Sequence, residues 1–172
     1  MPIEVTTVYT KECLLRYQKY FISRRKAFWI ILAVMEVFAL GVSLCNGILW
    51  GDFSLLLRGL LLLFLIDAVY IFNYVIYPRI SVNKAKNLNA QVRFSFEEEC
   101  FHMYSSNALF EENSTIQYTM PTKIYKKGND LYIFIAQRSA YIADLSSLSD
   151  GEKEALRTLL QPNFKPKNFK WA

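Results

Sequence analysis

Histidine is almost missing from this chain; His102 is the only one. It falls on a predicted strand with no Cys or Asp cluster nearby in the sequence, and reads as an ordinary satisfied or exposed strand residue. The chain also has no HExxH, no CxxC, no glycine-rich phosphate loop and no nucleophile paired with a histidine base. These absences argue against an enzyme and against a bound cofactor or metal. The acidic runs Glu97 to Glu99 and Glu111-Glu112 read as solvated faces. Cysteine is equally sparse. Cys13, Cys45 and Cys100 are odd in number and far apart, which makes a poor disulfide framework and suggests reduced thiols. No apolar core precedes residue 27, so a cleaved signal peptide is not expected and the first apolar run reads as a retained anchor.

What the chain does have is two long apolar runs, Ala27 to Trp50 and Phe53 to Tyr77, separated by Gly51-Asp52. As helices of about 24 residues each would rise about 36 Å, enough to cross a hydrocarbon core of about 30 Å with some tilt. Basic residues flank the pair: Lys11, Arg16, Lys19, Arg24, Arg25 and Lys26 before it, and Arg79, Lys84, Lys86 and Arg93 after it. The connecting loop carries only Asp52. Basic flanks stay on the cytoplasmic side, so both termini are expected in the cytoplasm of a multi-pass protein of the cell membrane. Trp29, Trp50, Tyr74 and Tyr77 sit near span ends, where amphipathic rings favour the interface. The net charge of +5 is concentrated beside the spans, which points to anionic lipid headgroups rather than nucleic acid.

Glu36, Asn46, Arg58, Asp67 and Asn73 interrupt the apolar runs. Polar side chains there are costly and normally face protein or water. Folding the hairpin about its short loop sets Glu36 level with Asp67, and Asn46 level with Arg58. Arg58 lies close enough to its helix start to snorkel. Two carboxylates at one apolar depth would raise each other's pKa, so at least one is expected to be protonated at neutral pH. A shared-proton hydrogen bond, an ion or proton path in an oligomer, and a cation from a partner protein all remain open.

Outside the spans the composition is that of a small soluble domain. Ile3 to Tyr9 reads as a short strand. Thr10 caps a basic amphipathic helix, Lys11 to Lys26, with Leu14, Tyr17 and Phe21 on one face. It would lie on anionic lipid or pack on the soluble domain. After a linker at 78–88, Val92, Phe94 and Phe96 alternate with polar residues as in a half-buried strand. Glu97 to Glu99 marks a turn. Further strands are expected at Cys100 to Ser105, Ala108 to Phe110, Ile116 to Met120, Lys123 to Tyr125, Leu131 to Ala136 and Ser139 to Ala143. A hairpin turn is expected at Lys127 to Asp130. Ser149 and Glu152 form a capping box for a helix with Ala155, Leu156, Leu159 and Leu160 on one face. The basic tail, 162–172, reads as a frayed end or as a basic-aromatic foot on the membrane. The expected architecture is an α+β membrane protein. It has an N-terminal segment (1–26), a two-helix transmembrane hairpin (27–77, spans 27–50 and 53–77) and a small cytoplasmic antiparallel β domain closed by a C-terminal helix (89–161).

The order of these pieces resembles the YcxB-like bacterial membrane proteins. The resemblance runs through the Ile-Glu-Val strand start, the basic aromatic run Tyr17 to Lys26, the hairpin and Val92-Arg93-Phe94-Ser95-Phe96. It continues through Ile116-Gln117-Tyr118, Leu131-Tyr132-Ile133-Phe134 and the capped helix Glu152 to Leu160. It implies a pleckstrin-homology-like cytoplasmic domain with no established activity. The chain departs from the family's usual lysine and aromatic before the last helix, where it reads Ile142-Ala143-Asp144-Leu145-Ser146-Ser147-Leu148. The expected function is a non-enzymatic, membrane-anchored regulatory or scaffolding module. Its β domain would bind a protein partner or anionic lipid, and its hairpin a membrane-protein partner or a second copy. The competing expectation is a small channel or transporter subunit using Glu36, Asp67 and Arg58.

Overall fold

The period-two alternation of Val92, Phe94 and Phe96 does what it should: all three are buried, while Gln91 and Arg93 face out. This strand belongs to the first of two units in the computed structural model, which describes residues 2–24, 26–45, 47, 51, 53–137 and 139–171. Unit 1 joins Met1–Leu14 to Ala85–Ala172, and unit 2 is Leu15–Lys84.

Unit 1 holds two four-stranded sheets. The first, in order β1-β2-β3-β4, contains Ile3–Val8, Gln91–Phe96, Cys100–Ser106 and Glu111–Gln117 and is antiparallel throughout. Strand β1 pairs with β2 from Ile3 opposite Phe96 to Val8 opposite Gln91. The N-terminal strand, expected to stand apart as a segment of its own, is thus an integral strand of the sheet. The second sheet runs β7-β6-β5-β8, from Ser139–Asp144, Asp130–Ala136, Lys123–Lys127 and Phe169–Trp171. The β5–β6 hairpin closes on Gly128-Asn129, with Gly128 at φ 60 as its first central residue, a conformation open to glycine because it lacks a Cβ. Side chains of β1 and Tyr9 reach β7: Asp144 N–H donates to Thr7 Oγ1 at 2.8 Å, and Ile142 N–H donates to Tyr9 Oη at 3.0 Å.

The core between these sheets is aromatic. Phe94, Phe96 and Phe101 are fully buried, with ring centroids 5.7–6.3 Å apart. Tyr141 meets Phe94 and Phe101 edge-on. The final helix is α5, Asp150–Leu160, and buries Leu156 and Leu160 completely. Its start is the expected capping box, with Ser149 Oγ accepting from Glu152 N–H and Ser149 N–H donating to the Glu152 carboxylate.

Four details differ from expectation. Ala108 to Phe110 is a turn, because the Asn107 side-chain oxygen accepts from the N–H groups of both Leu109 and Phe110. The next strand instead starts at Glu111, in a polar stretch with no apolar alternation, since only Ile116 of β4 is buried. The tail is not frayed through its length: Phe169–Trp171 pairs parallel with β5. The second apolar run does not stop near Pro78 but stays helical to Asn83.

Unit 2 contains most of α1 (Lys11–Ser23), then α2 (Lys26–Leu44), α3 (Phe53–Ile71), a wide turn (Phe72–Ile76) and α4 (Tyr77–Asn83). Pro78 has no N–H to donate back along the helix. The wide turn absorbs that, with Tyr77 N–H bonding the Phe72 carbonyl five residues back. Ala27–Leu44 and Leu57–Asn83 are long and apolar enough to cross a membrane, and only 11% and 6% of an 18-residue apolar stretch in each is buried. A core helix of a soluble protein would be mostly buried. The two helices touch along one stripe. On α2 it is Trp29, Leu32, Glu36, Ala39 and Ser43, at the alternating three- and four-residue spacing of a coiled-coil seam. On α3 it includes Gly59, Leu63 and Ile66. A Cβ on Gly59 would lie 2.6 Å from Ser43 Cβ, so glycine is what lets the backbones approach.

Candidate functional site

The polar residues of the apolar helices separate by face. Glu36 is half-buried on the seam. It lines a cleft of about 360 Å³ with Trp29, Leu32, Tyr70 and Tyr74. Trp29 meets Tyr70 and Tyr74 edge-on at 5.1 and 6.1 Å, Tyr70 stacks on Tyr74, and the indole N–H donates to the Ile22 carbonyl. Asp67 follows buried Ile66, so the 100° step of the helix turns it off the seam, and it is exposed. The contacts of Trp29 with Tyr74 and of Ser43 with Gly59 support the level-by-level folding read from the sequence. Among the described residues, however, no hydrogen bond or ion pair joins Glu36 to Asp67. Arg58 is exposed. Asn73 is half-buried and satisfies itself by donating to the Val69 carbonyl at 2.9 Å. Asn46 lies outside the described residues.

Of the basic flank, Arg24, Arg79, Lys84 and Lys86 are exposed, and the Arg24 guanidinium lies 5.1 Å from the Tyr20 ring centroid. Arg25 and the Lys26 side chain lie outside what the structure describes. Basic α1 turns Gln18 toward Ser81 of α4, 3.5 Å away, and buries Tyr20 and Ile22.

Unit 1 carries two clefts that sequence reasoning missed. One, of about 750 Å³, lies where α5 meets the last strand and is lined by Arg157, Gln161, Phe164, Phe169 and Trp171 among others. Arg157 pairs through Nη1 with Glu154 at 3.3 Å, but its buried Nε has no hydrogen-bond partner among the described residues. The Lys126 ammonium lies 5.6 Å from the Trp171 ring centroid. The expected basic-aromatic character of the tail is therefore present, but organised around a strand.

The second cleft, of about 490 Å³, is lined by Glu97, Glu98, Glu99 and Cys100 with Ile3 and Leu159 among others. Beside it the reading of His102 needs correction. Glu97, Cys100 and His102 place one ligand atom each within 4.8 Å of one another, so the imidazole does have a cysteine and a carboxylate at hand. Cys100 and His102, two apart on a strand, share a face; that much the spacing could have revealed. Burial first, and then the charges of Cys100 and Glu97, push the Tyr118 phenol up, and it donates to the Glu97 carbonyl at 2.8 Å.

Against known protein families, curated proteins and solved structures, the chain matches none.

Proposed function

We propose that the chain is a non-enzymatic membrane module. The hairpin anchors it in the cell membrane with both termini in the cytoplasm, and a pleckstrin-homology-like unit built on β1 to β8 and α5 binds an anionic group of a protein partner or lipid. The observation that carries the reading is the uncovered apolar surface of α2 and α3, whose described residues share a narrow seam. Exposed Asp67 in the middle of that surface favours a further membrane-embedded partner or a second copy, since a charge facing lipid is costly. The binding role is supported by Arg157, which lines an aromatic cleft and whose buried Nε has no hydrogen-bond partner among the described residues. The succession of four and then three antiparallel strands before a terminal helix supports the pleckstrin-homology-like description.

Labelling tests the anchor. A membrane-impermeant maleimide applied to intact cells should modify Asp52→Cys in a C45S background and spare Cys100 until the membrane is opened. Release of the full chain by alkaline carbonate overturns the anchor, and labelling of Cys100 from outside overturns the cytoplasmic placement of the termini. Nanodiscs of anionic and zwitterionic lipid then separate the ligands. A difference in hydrogen exchange around Arg157 between the two supports lipid; indifference leaves the protein partner.

The place of Glu36 in an aromatic cleft favours a second reading, an oligomeric transport subunit that uses this carboxylate more directly than Asp67 or Arg58. Glu36→Gln in reconstituted vesicles should abolish any ion-dependent flux, while Asp67→Asn reduces it less. No flux from the wild-type chain removes the reading.

A further inference from the structure

We propose that Glu97, Cys100 and His102 form a binding site for a borderline-soft divalent cation of the zinc type. The three residues come from one turn and the strand after it. Cys100 and His102 point to the same face of β3, and the turn brings Glu97 back over them. Cys100 Sγ lies 3.9 Å from His102 Nε2, and Glu97 Oε1 lies 3.6 Å from the same nitrogen. Ligands at about 2.3 Å for sulfur and about 2.0 Å for nitrogen or oxygen, in a tetrahedron, stand about 3.3–3.6 Å from each other. Small rotations of three partly exposed side chains close that difference.

Which nitrogen is used excludes the obvious alternative. A nucleophilic triad needs the thiol on one imidazole nitrogen and the carboxylate on the other. Here both face Nε2, while Nδ1 lies 2.8 Å from Thr115 Oγ1. Thr115 stands directly opposite His102 in the β3–β4 register, so the ladder itself fixes this contact. With the proton on Nδ1 donated to Thr115, the Nε2 lone pair is aimed between the thiol and the carboxylate, the arrangement by which an outer partner orients a metal-ligating histidine. The turn is held independently of any ion. Glu97 N–H bonds the Cys100 carbonyl at 3.0 Å and the Tyr118 hydroxyl bonds the Glu97 carbonyl. On binding, the cation replaces the Cys100 thiol proton, which passes to solvent. A thiolate with an imidazole selects zinc, cobalt or copper over magnesium and calcium. Exposed Glu98 and Glu99 line the adjoining cleft with Glu97 and Cys100.

The test is a cobalt titration of the full chain in detergent, without a polyhistidine tag. One equivalent of Co²⁺ should give a thiolate-to-cobalt charge-transfer band that zinc bleaches and magnesium does not. Cys100→Ser should remove the band, and His102→Gln should weaken binding by more than about tenfold. Thr115→Val keeps every ligand and should weaken binding about 10- to 100-fold through loss of the imidazole's orientation. Circular dichroism of each variant separates lost ligation from lost fold. A wild-type chain with no band, or a band of unchanged affinity in His102→Gln, overturns the site.

Discussion

In the β unit, Phe94, Phe96 and Leu156 have no exposed surface, while in the helical unit Val37, Phe38 and Phe64 are about 70% exposed. Both sets are large apolar side chains on regular elements. The difference lies in what each backbone offers its neighbours. A sheet presents one whole face, and a second sheet with a capping helix covers it, so apolar area becomes stability through burial. Two helices present only one stripe to each other, which among the described residues of α2 runs from Trp29 to Ser43. In the β unit apolar residues define the inside. In the hairpin they are the surface, and the small or polar residues Gly59, Ser43 and Glu36 mark the contact.

Large apolar residues should matter far more in the β unit than in the hairpin. In detergent, Phe94→Ala should cost about 3–5 kcal/mol of unfolding free energy and Phe64→Ala less than about 0.5 kcal/mol, as read by denaturant titration of the full chain. Equal losses would mean that the hairpin surface is packed. Gly59→Ala asks whether the seam is as tight as it looks. Helix propensity favours alanine by about 1 kcal/mol, but the new Cβ meets Ser43 and overpacking costs about 1–3 kcal/mol. A net loss is expected, recovered in the double change Ser43→Gly/Gly59→Ala. A stabilised single variant would show that the seam yields.

Ser149→Ala should cost about 1 kcal/mol by removing the cap of α5. It should lower the melting temperature of the β unit and leave the helical signal of the hairpin unchanged. The smallest effect is a pH dependence. The hydrogen bonds from the Ser149 side chain and backbone hold the Glu152 carboxyl below its usual value. A depressed folded-state pKa gives stability that is present above the ordinary carboxylate range and lost as pH falls through the depressed value. Glu152→Gln should flatten that acid limb, measured as melting temperature against pH. An unchanged limb would assign it to other carboxylates.

Much of the molecule could be read from local pattern. The alternation at Val92 to Phe96, the Gly128 turn and the Ser149 capping box each carry their own conformational instruction within a few residues. The same is true of the helical character of the apolar runs, though not of where they end. The polar strand Glu111–Gln117 escaped because it buries a single apolar residue, so it has no period to detect. Phe169–Trp171 escaped because a three-residue parallel edge strand depends wholly on its partner. In the candidate sites, the shared face of Cys100 and His102 was within reach of spacing, whereas the return of Glu97 and the position of Thr115 needed the turn and the register. The Arg157 cleft joins residues from α5 to the final strand and has no local signature.

Local pattern was enough to show that two helices are long and apolar enough to cross a membrane, and that alternating strands with a capped helix make the rest. Periodicity and length are local quantities, and burial follows from them. It took packing to show that Ile3–Val8 pairs with a strand that follows the hairpin in sequence, and that Glu36 lies on the seam while Asp67 does not. The fold alone brought the Glu97 carboxylate back to the lone histidine and its neighbouring thiol. Those outcomes depend on register and on the rotation of one element against another, which are fixed when surfaces pack and not before.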